Sequence, residues 1–188
     1  MKALHKLFTV SLLFFLTGTA VSAQSVYLAT GGNVNFFSET PLENIDASSQ
    51  SMTAVLTSST GEVMFTVPMR TFKFKKSLME EHFNEKYVES EKYPKATFKG
   101  KINEGINWQR DTVAGVTASG TFTLHGVARD ITEKGTLKVE DGKIYLSVNF
   151  LVALKDYNIE VPKVVTQSIA EVIKVSLHCT FVPYVKKT

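Results

Sequence analysis

Apolar side chains recur at every second residue along several long stretches of this chain, and that period admits few folds. Over 144–152, Ile144, Leu146, Val148, Phe150 and Val152 share one face, while Tyr145, Ser147, Asn149 and Leu151 take the other. Over 173–181, Ile173, Val175, Leu177, Cys179 and Phe181 stand opposite Lys174, Ser176, His178 and Thr180. Over 117–124, Ala118, Gly120, Phe122 and Leu124 oppose Thr117, Ser119, Thr121 and Thr123. A period of two belongs to the β-strand. One-sided alternation marks antiparallel strands with one dry and one wet face. Asp141-Gly142, between two such runs, is a strong hairpin signal, and Thr60-Gly61 is a weaker one. A sheet this long with one apolar face either packs as a sandwich or closes on itself. Roughly eight strands close into a barrel whose interior is filled by side chains or holds one small ligand.

The run from Glu62 to Phe74 carries a break in parity. Val63, Phe65 and Val67 fall on one face, and Phe72 and Phe74 on the other. A register shift between Val67 and Phe72 turns all five inward. Pro68, which cannot donate to a ladder, points to a β-bulge as the device. Asn44 to Ser51 and Asn158 to Ser168 read as loops, the second interrupted by Pro162.

One segment departs from the strand period. Met79, Phe83 and Tyr87 recur at helical spacing and form an apolar stripe, with Glu81, Glu85 and Glu89 facing water. Ser77 and Glu80 have the spacing of a capping box, and Pro94 ends the helix at or before Tyr93. The helix is expected at about residues 78–90. From Ala96 the period returns to two, with Ala96, Phe98, Gly100 and Ile102 on one face.

The first 23 residues have the form of an export signal. Lys2 and Lys6 precede an apolar run from Leu7 to Leu16, and Val21-Ser22-Ala23 is a small-residue cleavage site. The run is too short for a transmembrane helix. Residues 24–188 then form one domain, which is expected to be soluble and periplasmic or secreted. No cysteine follows the cleavage site, so a lipoprotein anchor is not indicated. Of 21 Lys and Arg against 18 Asp and Glu, two of the basic residues fall in the leader. The near balance that remains gives no basic face for nucleic acid.

Signatures of catalysis are absent: no glycine-rich phosphate loop, no His-Glu-x-x-His, no Gly-x-Ser-x-Gly, no Cys-x-x-Cys. His82, His125 and His178 lie on separate elements. Cys179 shares the parity of Leu177 and Phe181, which reads as a buried inert thiol. The chain is therefore read as a binding protein rather than an enzyme, with no cofactor or metal.

Two motifs narrow the reading. The helix leads into Lys92-Tyr93-Pro94-Lys95-Ala96-Thr97-Phe98, and Gly120 to Asp130 reads GTFTLHGVARD. The first resembles the Lys-Tyr-Pro-x-x-x-Phe strand start of the YceI-like family. The second resembles that family's Gly-x-Leu-Thr-x-x-Gly-Val-Thr-Arg run, with Phe122 and Ala128 as departures. With the strand at Asn33 to Ser38 and Pro41-Leu42-Glu43-Asn44-Ile45 after it, the resemblance covers essentially all of 24–188. It implies a lipocalin-like, antiparallel, roughly eight-stranded all-β barrel with one helix inserted. It also implies a polyisoprenoid or similar long-chain lipid as ligand. Candidate lining residues are Phe65, Phe72, Phe74, Phe98, Phe122, Leu146, Val148, Phe150, Val175, Leu177 and Phe181. The same residues serve a filled core equally well. His125 and Arg129 are candidates for a polar mouth contacting a lipid head group. The alternative is a solid-core structural or interaction module of the cell envelope, stress-related and without ligand, whose acidic helix face meets a partner. Homo-oligomerisation is left open.

Overall fold

The computed structural model describes residues 26–162 and 169–185. The expected leader, and residues 163–168 of the expected second loop, lie outside them.

Nine antiparallel strands follow in chain order: β1 Val26–Ser38, β2 Ile45–Thr57, β3 Glu62–Pro68, β4 Lys73–Phe74, β5 Lys95–Ile102, β6 Thr112–Leu124, β7 Val127–Glu140, β8 Lys143–Ala153 and β9 Val172–Pro183. Eight of them pair in the order β1-β9-β8-β7-β6-β5-β3-β2, and a β1–β2 ladder closes the ring. The expected barrel is therefore observed. The ninth strand, β4, hangs on the free flank of β2, with Ala47 opposite Phe74. Among the described residues no helix is long and apolar enough to cross a membrane.

Turn chemistry sets the register. Asp141 and Gly142 adopt φ of 50° and 71°, the left-handed pair that a two-residue hairpin between β7 and β8 requires. His125 and Gly126, at 50° and 74°, make the same turn between β6 and β7. Gly61, at 74°, closes the β2–β3 connection, where its N–H donates to the Thr57 carbonyl at 2.8 Å.

Three local expectations are corrected. The parity break after Val67 is not a bulge but a corner: Met69–Thr71 form one 3₁₀ turn, and β4 leaves it toward the other end of β2. A full turn of 3₁₀ helix reverses the inward face as a bulge does, and also redirects the chain. Residues 45–51 are strand, not loop. Their polar composition hides small inward positions, with Ala47 and Ser49 each only 1% exposed. The Ser49 hydroxyl lies 2.6 Å from that of Thr71 in the corner. Pairing to β1 and β4 on both flanks overrides weak strand propensity.

The helix is also shorter than expected. α1 spans Ser77–His82 and widens into one π turn, Phe83–Tyr87, where the Val88 N–H reaches back to the Phe83 carbonyl. No capping box forms, because Lys76 holds the N-cap position. The Glu80 carboxylate instead accepts from Lys73 Nζ at 2.6 Å and from the Phe74 N–H at 3.4 Å. The Lys73 hydrogen bond is the largest influence holding its pKa low.

The inward faces fill one end of the barrel completely. Met52, Leu56, Leu137, Ile144 and Phe181 are at most 1% exposed there. The other end is different.

Candidate functional site: an apolar cavity under the helix

Toward the helix end the inward side chains fail to meet, and they enclose a cavity of about 360 Å³. That is within the usual range of ligand pockets. Its wall is almost wholly hydrocarbon. Phe65, Phe72, Phe74, Phe98 and Phe122 line it from β3 to β6, and Leu146, Val148, Phe150, Val175 and Leu177 from β8 and β9. These ten are residues that strand parity had singled out. The eleventh, Phe181, does not line it. Phe181 pairs with Ile144 close to the Asp141-Gly142 turn, at the filled end, with its ring centroid 6.1 Å from that of Phe65. Parity assigns a face but not a depth along the barrel.

The helix supplies one wall. Met79, Phe83 and Tyr87, the predicted stripe, all line the cavity. Phe83 sits in an aromatic cluster, with ring centroids 5.4 Å from Phe36, 5.7 Å from Phe72 and 5.0 Å from Phe74. Each such pair contributes roughly 0.5–1.5 kcal/mol beyond its buried area, which is enough to hold two short turns against the barrel. Phe36 was not singled out from sequence, although its alternation with Val34 on β1 carries the signal.

The polar candidates do not line the cavity. His125 Nδ1 donates to the Tyr157 carbonyl at 3.0 Å, and its Nε2 meets a Glu89 carboxylate oxygen at 2.8 Å. The Tyr93 ring lies edge-on, 4.5 Å away between centroids. His125 is thus a clamp, joining the β6–β7 hairpin to the segment after the helix and to the 3₁₀ turn Leu154–Tyr157. It also takes Glu89 out of the water-facing set. Arg129 Nε donates to the Asp156 carbonyl in that same 3₁₀ turn, and its guanidinium is 4.0 Å from the Asp156 carboxylate. Neither head-group candidate therefore lines the cavity: a positive-φ hairpin tip turns His125 onto its neighbours, and Arg129 stitches two elements.

The polar groups that do line the cavity are few. Glu43 is ion-paired to Lys76, and the Ser38 hydroxyl accepts from the Ala170 N–H at 2.8 Å. His82 lines it from α1 and Glu133 from β7. Glu133 was missed from sequence. It shares parity with Ile131, Leu137 and Val139, and an acid in an inward series was the available signal. Burial raises its pKa.

Cys179 is 6% exposed in the filled end, and burial pushes its thiol up to about 12. Among the described residues, no group of three or more His, Cys, Asp or Glu side chains comes together to hold a metal.

No curated relative matches the chain. Solved structures do. A polyisoprenoid binding domain from Saccharophagus degradans, implicated in plant cell wall breakdown, superposes with a TM-score of 0.70 at 16% identity, covering 86% of this chain and 99% of that one. Burkholderia cenocepacia BcnA gives 0.68 at 14% identity, covering 79% and 95%. The Campylobacter jejuni YCEI protein gives 0.61 at 18%, covering 79% and 90%. At such identities these likenesses establish the fold. The YceI-like domain model matches residues 22–181, nearly the full length, and the chain accordingly belongs to the YceI-like family.

Proposed function

We propose that this protein is an exported carrier that takes a long apolar chain of the polyisoprenoid kind into its barrel, and performs no chemistry on it. The observation that carries the reading is the hydrocarbon-walled cavity of about 360 Å³. An isoprenoid tail has no polar groups to satisfy along its length, so a wall of phenylalanine and aliphatic side chains suffices. Each buried methylene contributes about 0.8 kcal/mol, so about ten supply roughly 8 kcal/mol before the cost of association. The Saccharophagus degradans neighbour, which is named for polyisoprenoid binding, supports the same ligand class. A solid-core envelope module would have no use for the cavity, which favours the carrier. Binding without catalysis is supported by a thiol held neutral by burial. Export rests on the pattern of Met1 to Ala23 alone.

Native mass spectrometry after gentle extraction, followed by uptake of geranylgeraniol, tests the carrier role. The expected result is a mass excess matching one lipid, or stoichiometric uptake. Protein recovered empty that takes up no prenyl chain overturns the proposal. N-terminal sequencing of the protein from its host tests export, with mature chain expected to begin at Gln24.

A further inference from the structure

The barrel wall is incomplete on one side. The β7–β8 ladder runs from the Asp141-Gly142 turn only as far as Gly135 opposite Val148. Beyond that point Val127–Lys134 stay paired to β6 alone, and residues 149–153 to β9 alone. The far end is closed by the two stitches already described, from His125 to Tyr157 and from Arg129 to Asp156. Between them lies a slot, bordered by Ile131 and Glu133 on β7 and by Phe150 and Val152 on β8, all four of which line the cavity. The Phe122 ring stands behind it, with centroids 5.9 Å from Phe150 and 5.4 Å from Tyr157. Over this stretch no β7–β8 ladder closes the wall of the cavity, which is partly open.

Among the described residues bordering this slot and lining the cavity, Glu133 is the carboxyl. It is half-buried and lines the cavity, and among the described residues it has no hydrogen-bond or ion-pair partner. A partly desolvated carboxyl without a partner costs free energy that an aliphatic residue at the same inward position would not. No lysine or arginine is among the described residues lining the cavity, and Arg129, at the far end of the slot, is already held by Asp156, so an anionic group placed beside Glu133 meets a carboxyl and no free cation. A hydroxyl or ammonium group, by contrast, donates directly to the carboxylate.

Building on the carrier reading, we propose that Glu133 binds the polar end of the ligand, so that the cavity selects a long apolar chain ending in a hydrogen-bond donor, an alcohol or an amine, whose head lies in the β7–β8 slot. The tail then runs inward past Phe122 and Phe150 toward the aromatic cluster under the helix. This places the head group on the same strand as Arg129, four residues further along β7, and leaves His125 and Arg129 as structural stitches.

The test uses three headed probes of equal chain length, hexadecan-1-ol, hexadecylamine and palmitate, with plain hexadecane as the headless reference, measured by displacement of Nile red from the full-length mature protein. Wild type is expected to bind the alcohol and the amine at least about tenfold tighter than palmitate, the scale of one hydrogen bond to a charged group. Glu133→Gln keeps the side-chain shape and removes the charge. It is expected to bring palmitate within about threefold of the alcohol, with circular dichroism unchanged. Glu133→Leu is expected to lose the preference for amine over plain hexadecane. Equal ranking of the three probes in wild type and both variants overturns the head-group assignment while leaving the carrier reading intact. A wild-type preference for palmitate overturns it whether or not the variants fold. Failure of wild type to take up any chain removes the carrier reading, and this inference falls with it.

Discussion

Filling the cavity from its wall should weaken lipid binding by an amount set by the carbons added. Ala118 lies on β6 between Ile102 of β5 and Glu133 of β7 and lines the cavity. Leucine there introduces three further carbons into space a bound chain would occupy. If each displaces one ligand methylene, the loss is about 2.4 kcal/mol, or about 50-fold in Kd. Valine, with two further carbons, should cost about 1.6 kcal/mol, or about 14-fold. Stability should move the other way or not at all, since the added carbons enter a void rather than a packed interior. The two readouts together separate loss of binding from loss of fold.

The assay is titration of geranylgeraniol into wild type, Ala118→Val and Ala118→Leu, with Tm recorded on the same samples. Leu151→Ala is the control, because Leu151 is 64% exposed on the outer face of β8. Its Kd should stay within about twofold of wild type, as expected for a surface substitution. The reasoning is refuted if Ala118→Leu remains folded and binds within threefold of wild type. The chain would then lie somewhere other than this cavity, and the graded series would be flat.

Three further outcomes test the frame around the cavity. At Gly120 an added Cβ would lie 2.3 Å from the Lys99 carbonyl oxygen and 2.4 Å from Gly100 Cα, both backbone, so Gly120→Ala should lose about 3 kcal/mol by urea denaturation. Gly142→Ala, at positive φ with nothing within 4 Å, should lose only about 1 kcal/mol, and equal losses would contradict the close β5–β6 approach. His125→Ala removes both clamp hydrogen bonds and should cost about 2–3 kcal/mol, whereas unchanged stability would mean the clamp holds nothing. Cys179 should resist a thiol reagent at pH 8 in the native protein and react on unfolding. Its raised pKa means the folded state keeps the proton that the unfolded chain releases. This contribution is intact below pH 9 and is lost as pH rises toward about 12. Rapid native labelling at pH 8 would show the thiol is not buried.

Period-two alternation is a property of neighbouring residues, so it survives in the sequence and reveals the strands of this barrel and their dry faces. Hollowness is not such a property. Phe65 and Phe181 have the same residue type and the same inward parity, yet one lines the cavity and the other is 1% exposed in the filled end. What separates them is height along the barrel axis, which depends on ladder register across several strands. The same limit explains β2, where Ala47 and Ser49 look like loop residues until β1 and β4 pair on either side. It explains His125 as well: a polar residue at a hairpin tip reads as a mouth until Glu89 and Tyr157, distant in sequence, arrive to bind it. Glu133 is the opposite case. Its place in the inward series with Ile131 and Leu137 was legible locally, and only the interrupted β7–β8 ladder gives that misplaced acid a reason. On the head-group proposal, an inward carboxyl that breaks an apolar face is therefore worth more as a pointer to the ligand's polar end than the clamped histidine and the stitched arginine of the β6–β7 hairpin.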